Sequence, residues 1–177
     1  MARYGARMPA EALEHPLTVL VPVFNAAPAL RALADSLLAA HPQPAAGLRF
    51  VFIDDASTDA EVPSLLAQHP FFGRPDVHTH TQEENLGFVR TVNWGLELAG
   101  ERDDVLLLNS DTEIHGRAIA TLQRAAHRRA SIGSVTPLTN NGTIASLFAW
   151  PRGTESRWGF SPSELTRLVE ARAFPTP

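Results

Sequence analysis

Val105-Leu106-Leu107-Leu108-Asn109-Ser110-Asp111-Thr112-Glu113 is the stretch that decides how this chain is read. Four apolar residues in a row read as a strand buried on both faces, as inside a parallel sheet. They run straight into a polar cluster with two carboxylates. In open α/β sheets ligands sit just beyond the carboxyl ends of the strands. Acidic residues there are placed to meet a ligand. A second segment repeats the arrangement upstream, where Phe50-Val51-Phe52-Ile53 runs into Asp54-Asp55-Ala56-Ser57-Thr58-Asp59.

Outward from these two strands the chain alternates. Residues 17–21 form a β-rich run closed by Pro22, which cannot donate to a ladder. Asn25 is placed to cap the next helix, with Pro28 in its first turn and Leu30, Leu33, Leu37 and Leu38 at helical spacing. Pro42 and Pro44 end it. The second strand covers residues 48–53, a short helix residues 60–68, and a third strand residues 77–81. After a break at Asn85-Leu86-Gly87, residues 88–99 read as a helix with Val92, Leu96 and Ala99 on one face. Asp103 and Asp104 turn the chain into the fourth strand. Residues 116–129 predict a helix with Ile119, Leu122 and Ala126 inward, and residues 131–136 a further strand. Residues 137–153 read as loop and residues 162–174 as a final amphipathic helix capped by Ser161. This β-α-β-α order predicts an α/β fold, a mostly parallel sheet with helices on both faces. Residues 1–16 read as a flexible leader and residues 17–177 as one domain. After the final helix, Phe174-Pro175-Thr176-Pro177 carries no closing strand or helix signal, so the chain reads as the front half of something longer.

Composition narrows the classes. The 177 residues suffice for one domain with a proper core, and 44% of them are hydrophobic. The formal charge of −4 argues against a nucleic-acid surface, which would want a basic excess. Cysteine is absent, which removes disulfides, thiolate metal sites and cysteine nucleophiles and fits a reducing cytosol. No run approaches the ~20 apolar residues that cross a bilayer, and the N-terminus lacks the apolar core of a secretory signal. A cytoplasmic location follows as the expectation, with attachment to the inner membrane face left to parts outside this chain.

The site candidates each carry a plain alternative. Thr58 and Asp59 can cap a helix and do nothing more. Asp54 and Asp55 are harder to explain so, because adjacent carboxylates repel, and one of them could accept the imide N–H of a pyrimidine base. Asn109, Asp111 and Glu113 offer oxygen ligands to a hard divalent cation such as Mg²⁺ or Mn²⁺, shared with phosphate oxygens; the alternative is a capped turn. In Asn85-Leu86-Gly87-Phe88-Val89-Arg90-Thr91-Val92-Asn93-Trp94-Gly95, Gly87 permits a tight turn, the helix start offers free N–H groups to an anion, and Arg90 adds charge. An ordinary helix start with a solvated arginine explains it equally well. Gly95 in mid-helix costs ~1 kcal/mol relative to alanine, a hint of close packing. His78 and His80 share one face of a strand, as a metal pair or, with far better odds, an exposed edge. Asn141-Gly142-Thr143 matches a glycosylation acceptor, expected to stay unmodified without a secretory signal. No dinucleotide-binding glycine motif and no P-loop occurs.

With these residues in hand, the chain resembles family 2 glycosyltransferases of the GT-A fold, in the branch that includes rhamnosyltransferase-like enzymes. The motifs stand in the family's order over roughly residues 17–150: Val21-Pro22-Val23-Phe24-Asn25, Ile53-Asp54-Asp55-Ala56-Ser57-Thr58-Asp59, Asn85-Leu86-Gly87-Phe88 with Asn93-Trp94-Gly95, and Leu108-Asn109-Ser110-Asp111-Thr112-Glu113. Thr136-Pro137-Leu138-Thr139-Asn140-Asn141 is similar to the same branch.

The resemblance implies a three-layer α/β/α fold, truncated, and a nucleotide-sugar site built from Pro22, Val23, Phe24, Asn25, Asp54, Asp55, Asn85, Gly87, Phe88, Arg90, Asn93, Asn109, Ser110 and Asp111. Pro22, Val23 and Phe24 would line the nucleoside pocket, Asp55 would bind the base, and Asn85, Gly87 and Arg90 would lie along the donor. Asp111 matches the last aspartate of the family's metal motif, with Asn109 standing where its first aspartate is usual and Glu113 as a second metal candidate. The implied activity is metal-dependent, inverting transfer from a UDP-, dTDP- or GDP-sugar to a carbohydrate or lipid-linked acceptor hydroxyl, in cell-surface polysaccharide synthesis. The catalytic base would lie beyond Pro177. A sugar-nucleotide-binding module without catalysis is the alternative.

Overall fold

The N-terminal strand becomes the middle of the sheet. Leu17, Val19, Val21 and Val23 alternate with Thr18 and Leu20, and every one of them is buried, so β1 (Leu17–Val23) needs cover on both faces. Four strands run parallel in the order β3-β2-β1-β4. β2 (Leu48–Asp54) pairs with β1 along its length, from Leu17 opposite Leu48 to Val23 opposite Asp54. β3 (Val77–Thr81) pairs with β2, and β4 (Asp104–Leu107) with the first part of β1. The computed structural model describes residue 13 and residues 15–137. The chain forms two units, Met1–Ile114 and His115–Pro177, and the sheet lies wholly in the first.

Each face has its own helices. On one, Leu20, Val51 and Ile53 form a buried cluster against Val92, Trp94 and Leu98 of α3 (Phe88–Leu98). Gly95 is the contact point: a Cβ there would lie 2.3 Å from Leu20 Cδ1 and 3.0 Å from Ile53 Cδ1. The close packing expected of this mid-helix glycine is therefore real. On the opposite face Phe50 and Phe52 meet Phe71 and Phe72 edge to face, at 5.2 Å for Phe50–Phe71 and 4.9 Å for Phe52–Phe72. These rings follow α2 (Glu61–Gln68), which packs beside α1 (Ala27–Ala40) with Leu30, Leu33 and Leu37 fully buried. Full burial of each such side chain contributes ~1.5–3 kcal/mol. The three-layer α/β/α arrangement is as the sequence predicts.

Four expectations need correction. β4 is not buried on both faces: Val105 and Leu107 are 38% and 43% exposed, because β4 has one strand neighbour, β1, among the described residues. α3 turns Thr91 and Gly95 inward and leaves Leu96 exposed, a rotation that the tight Gly95 contact imposes. Asn25 does not cap α1; the cap position is Ala26, in a left-handed conformation with no side-chain bond. Residues 131–136 form no strand. Their apolar residues, Ile132 and Val135, are three apart instead of two, with Gly133 between them. In the second unit α4 (Ala118–Ala126) buries Ile119 as expected, but its other buried residue is Gln123, while Leu122 and Ala126, expected inward, are half-buried. The helix expected over residues 162–174, most of the loop before it and the Asn141 motif lie outside the described residues.

At the N-terminal end of the sheet the strands are tied by polar bonds. Thr18 Oγ1 donates to Asp103 Oδ2 at 2.6 Å, Gly100 N–H donates at 3.2 Å, and Arg49 reaches the same oxygen at 3.1 Å. The Thr18 hydroxyl, with Gly100 and Arg49 behind it and burial opposing, holds the Asp103 carboxyl below its ordinary range. A carboxyl lowered by folding adds stability that is complete above its unfolded value, about 4, and vanishes as pH falls through the folded one. We therefore expect Asp103→Asn to destabilise the protein at pH 7 and the difference from the parent to close progressively below about pH 4. Urea denaturation across pH checks this; a gap that does not shrink as the pH falls below about 4 contradicts it.

Candidate functional site

The strand order locates the site. From β1 the chain moves outward through β2 to β3 by way of α1 and α2, on one face. It then crosses the other face through α3 and enters β4 on the opposite side of β1. The direction of winding thus reverses between β1 and β4, and a crevice opens beyond their carboxyl ends. Leu108 N–H still bonds Leu20 O at 2.9 Å, which carries the segment 109–113 past the end of β4 alongside the tip of β1. Candidates that follow β1, β2 and β4, and those at the start of α3 after β3, thus lie toward the carboxyl end of the sheet.

Asp54 and Asp55 do not face each other. They are almost wholly buried, at 2% and 3% exposure, and each carboxylate has its own set of backbone partners. Asp54 Oδ1 accepts Ser57 N–H at 3.0 Å and so closes its own turn. Asp55 spans to the next loop: Oδ1 accepts Leu86 N–H at 2.8 Å and Oδ2 accepts Gly87 N–H at 2.9 Å. Asn85 Nδ2 returns a bond to Asp55 O at 3.1 Å. Gly87, at φ 80°, is the residue that lets the backbone turn there. The pair thus has a place in the fold, with backbone amides compensating each charge. Each oxygen still has acceptor capacity.

Asn25 sits at φ 59° and Ala26 at φ 57°. The left-handed region costs an alanine ~1–2 kcal/mol, and asparagine less. Asn25 Oδ1 accepts Thr58 N–H at 2.8 Å and Asp59 N–H at 2.9 Å, while its own N–H donates to Ser57 Oγ at 2.8 Å. Asp59 returns the contact: Oδ2 accepts Ala27 N–H at 3.2 Å and Oδ1 accepts Glu61 N–H at 3.0 Å. Asp59 therefore serves two helix starts, which the capping expectation only half foresaw. Thr58 and Asp59 entered the sequence reading as possible caps, and Ser57 had no role of its own there. The signal that would have paired them with Asn25 is the left-handed preference of that asparagine before a second helix.

The remaining candidates border this framework. Phe24 and Phe88 are about half exposed, and Arg90 and Asn93 lie exposed on α3. Pro22 and Val23 are within β1, with Pro22 half-buried. Asn109, Asp111 and Glu113 are exposed and Ser110 half-buried, and Asn109 O accepts Thr112 N–H at 3.2 Å in a turn. No three His, Asp or Glu side chains converge to hold a metal among the described residues. The donors at hand, exposed carboxylate and amide oxygens, fit a hard cation that completes its shell with phosphate and water oxygens. His78 and His80 lie on the edge strand β3, with the His80 ring 5.6 Å from that of Trp94. His78 is exposed and His80 half-buried on this strand, which has β2 as its one strand neighbour among the described residues.

Because Asp55 holds two backbone N–H groups, Asp55→Ala should lower stability by ~1–3 kcal/mol. Hydrogen exchange at Leu86 and Gly87 should quicken in step. Unchanged exchange at both amides would show that the carboxylate does not hold this turn.

Solved structures carry the same fold. S. aureus TarS, residues 1–349, superposes with a TM-score of 0.51 at 24% identity, over 63% of this chain and 33% of its own. The same TarS segment in complex with UDP gives a TM-score of 0.51 at 25% identity, over 63% of this chain and 32% of its own. The mannosyltransferase PcManGT from Pyrobaculum calidifontis, solved with GDP-Man and Mn²⁺, gives a TM-score of 0.51 at 24% identity, over 66% of this chain and 35% of its own. The chain spans about a third of the length of these structures. No curated protein matches it in sequence. Residues 18–166 match glycosyl transferase family 2, and with its parallel sheet and acidic strand tips the chain belongs to that family.

Proposed function

We propose that this chain binds a nucleotide-sugar across the carboxyl ends of β1, β2 and β4 and serves as the donor half of an inverting, metal-dependent glycosyltransferase. The observation that carries the reading is the reversal of winding between β1 and β4, the point at which open α/β sheets bind their ligands. Family membership gives the reaction class. Support for the donor class comes from relatives of the same fold solved with UDP-GlcNAc and with GDP-Man.

In this reading the base lies against the tips of β1 and β2. Phe24 and Phe88 present apolar rings for it. The spare acceptor capacity of Asp55 takes the imide N–H of a uracil or thymine. Asn85, Gly87, Arg90 and Asn93 follow the donor along the start of α3, and Asn109, Ser110 and Asp111 flank the diphosphate.

Charge then dictates a cation. Diphosphate oxygens about 4 Å from Asp111 would be repelled by ~4 kcal/mol per pair of unit charges near a protein surface. Asp111, with Asn109 or Glu113, would hold Mn²⁺ or Mg²⁺ and so offset the charge of the diphosphate. Bound there, the ion would act as a Lewis acid and stabilise the departing nucleoside diphosphate. Transfer breaks the anomeric carbon–phosphate oxygen bond and joins that carbon to the acceptor oxygen, whose proton passes to a carboxylate base. No residue of this chain is assigned as that base.

The rhamnosyltransferase-like branch, a carbohydrate or lipid-linked acceptor, a cytoplasmic setting and a part in cell-surface polysaccharide synthesis complete the proposal. They rest on the sequence motifs. An amide at Asn109 in place of a carboxylate favours one competing reading, a module that binds sugar nucleotides without turnover.

Calorimetric titration with UDP, dTDP and GDP, with and without Mn²⁺, tests the reading. At least one nucleotide should bind, Mn²⁺ should tighten it by about tenfold or more, equivalent to ~1.4 kcal/mol, and Asp111→Ala should lose that gain. Absence of binding to all three contradicts the proposal. Binding without transfer by a full-length enzyme would favour the non-catalytic module.

A further inference from the structure

Two consecutive left-handed residues follow β1, and neither is glycine. Such a pair persists only where its surroundings over-determine it, and strain of this kind concentrates at functional sites. Here the surroundings are one neighbouring loop. Ser57 Oγ takes the Asn25 N–H, Asn25 Oδ1 takes the N–H groups of Thr58 and Asp59, and Asp59 Oδ2 takes the Ala27 N–H. The Thr58 hydroxyl reaches the same Asn25 oxygen at 3.3 Å. These bonds begin where the sheet ladder stops, one step after Asp55 N–H bonds Val23 O at 2.8 Å. They keep two strand tips together while the chain turns away into two different helices.

What lies beside this clasp matters. Phe24 is the residue immediately before Asn25, and Asp55 precedes Ser57 by two. Loss of the clasp loosens the Phe24 turn against the loop that follows Asp55, whose carboxylate stays tied to the Leu86 and Gly87 amides. The oxygen of the Asn25 side chain is filled by three donors from the adjoining loop, so it has no capacity left for a ligand.

We propose that Asn25, with Ser57 and Asp59, is a positioning residue: it sets Phe24 and Asp55 in the geometry that binds the base, and it does so through its side-chain oxygen, not by touching the nucleotide. This rests on the nucleotide-sugar reading above. It assigns to Asn25 a task different from the direct donor contact implied by the family motif.

The experiment uses the full chain, UDP with Mn²⁺ as the probe, and three variants. Asn25→Gly keeps the left-handed backbone and removes the oxygen; affinity should fall about tenfold. Asn25→Asp keeps the oxygen, tolerates the same backbone and removes the amide donor; affinity should stay within about threefold of the parent. Ser57→Ala removes the partner of the Asn25 N–H and should weaken UDP about threefold or more, which keeps the test open if the glycine variant does not fold. Melting temperatures of the ligand-free variants are measured alongside, since a purely structural role predicts that affinity follows stability and gives no selective rescue by aspartate. If Asn25→Asp binds as poorly as Asn25→Gly, the amide contacts the nucleotide and the positioning role is overturned. Parental affinity in both Asn25→Gly and Ser57→Ala overturns it as well. Failure of the unaltered chain to bind UDP, dTDP or GDP would instead remove the donor reading, and this inference with it.

Discussion

β1 is hydrogen-bonded on both sides, to β2 along seven residues and to β4 along four, and the site depends on that central placement. Because helices α1 and α2 leave β1 on one face and α3 returns on the other, the strand tips cannot all be roofed by the connections that follow them. The crevice is a product of topology before any side chain is considered. Gly95 contributes to this from a distance: with no Cβ, it lets α3 lie on Leu20 and Ile53, and so fixes the height at which the start of α3 meets the tips.

An edge so rich in carboxylates needs local compensation, and most of it comes from the backbone. Asp54, Asp55 and Asp59 each accept main-chain N–H groups from loops or helix starts. Bonds of this charge-assisted kind are stronger than neutral ones and hold their partners in place. Asp111 differs from them: it projects, exposed, from the β4 tip. The contrast divides the acidic residues by job. Those at the end of β2 and just after it hold the loops around them, whereas Asp111 and Glu113, after β4, are exposed.

Local pattern carried most of the fold. β1, β2, β3 and α1 stand close to where alternation, leucine spacing and proline punctuation put them, since each buries an apolar face that the sequence displays. What failed was long-range. The run 105–108 looks buried from its composition, yet Val105 and Leu107 are partly exposed because burial depends on which strand lies beside β4. Residues 131–136 show how little two apolar side chains three positions apart weigh as a strand signal. Asn25 looked like a cap for its own helix, but its partners are more than thirty positions away in the next loop. Motif spacing brought Asp55 and Gly87 into one site; it could not show that they bond each other.

A crystal structure of the chain with UDP and Mn²⁺ tests the central claim most directly, that one nucleotide spans the tips of β1, β2 and β4. The account predicts the base beside Phe24 and Asp55 and the ion bound between Asp111 and the diphosphate. Nucleotide density elsewhere, as in the groove between α1 and α2 lined by Arg31, Ser64 and Gln68, would contradict it.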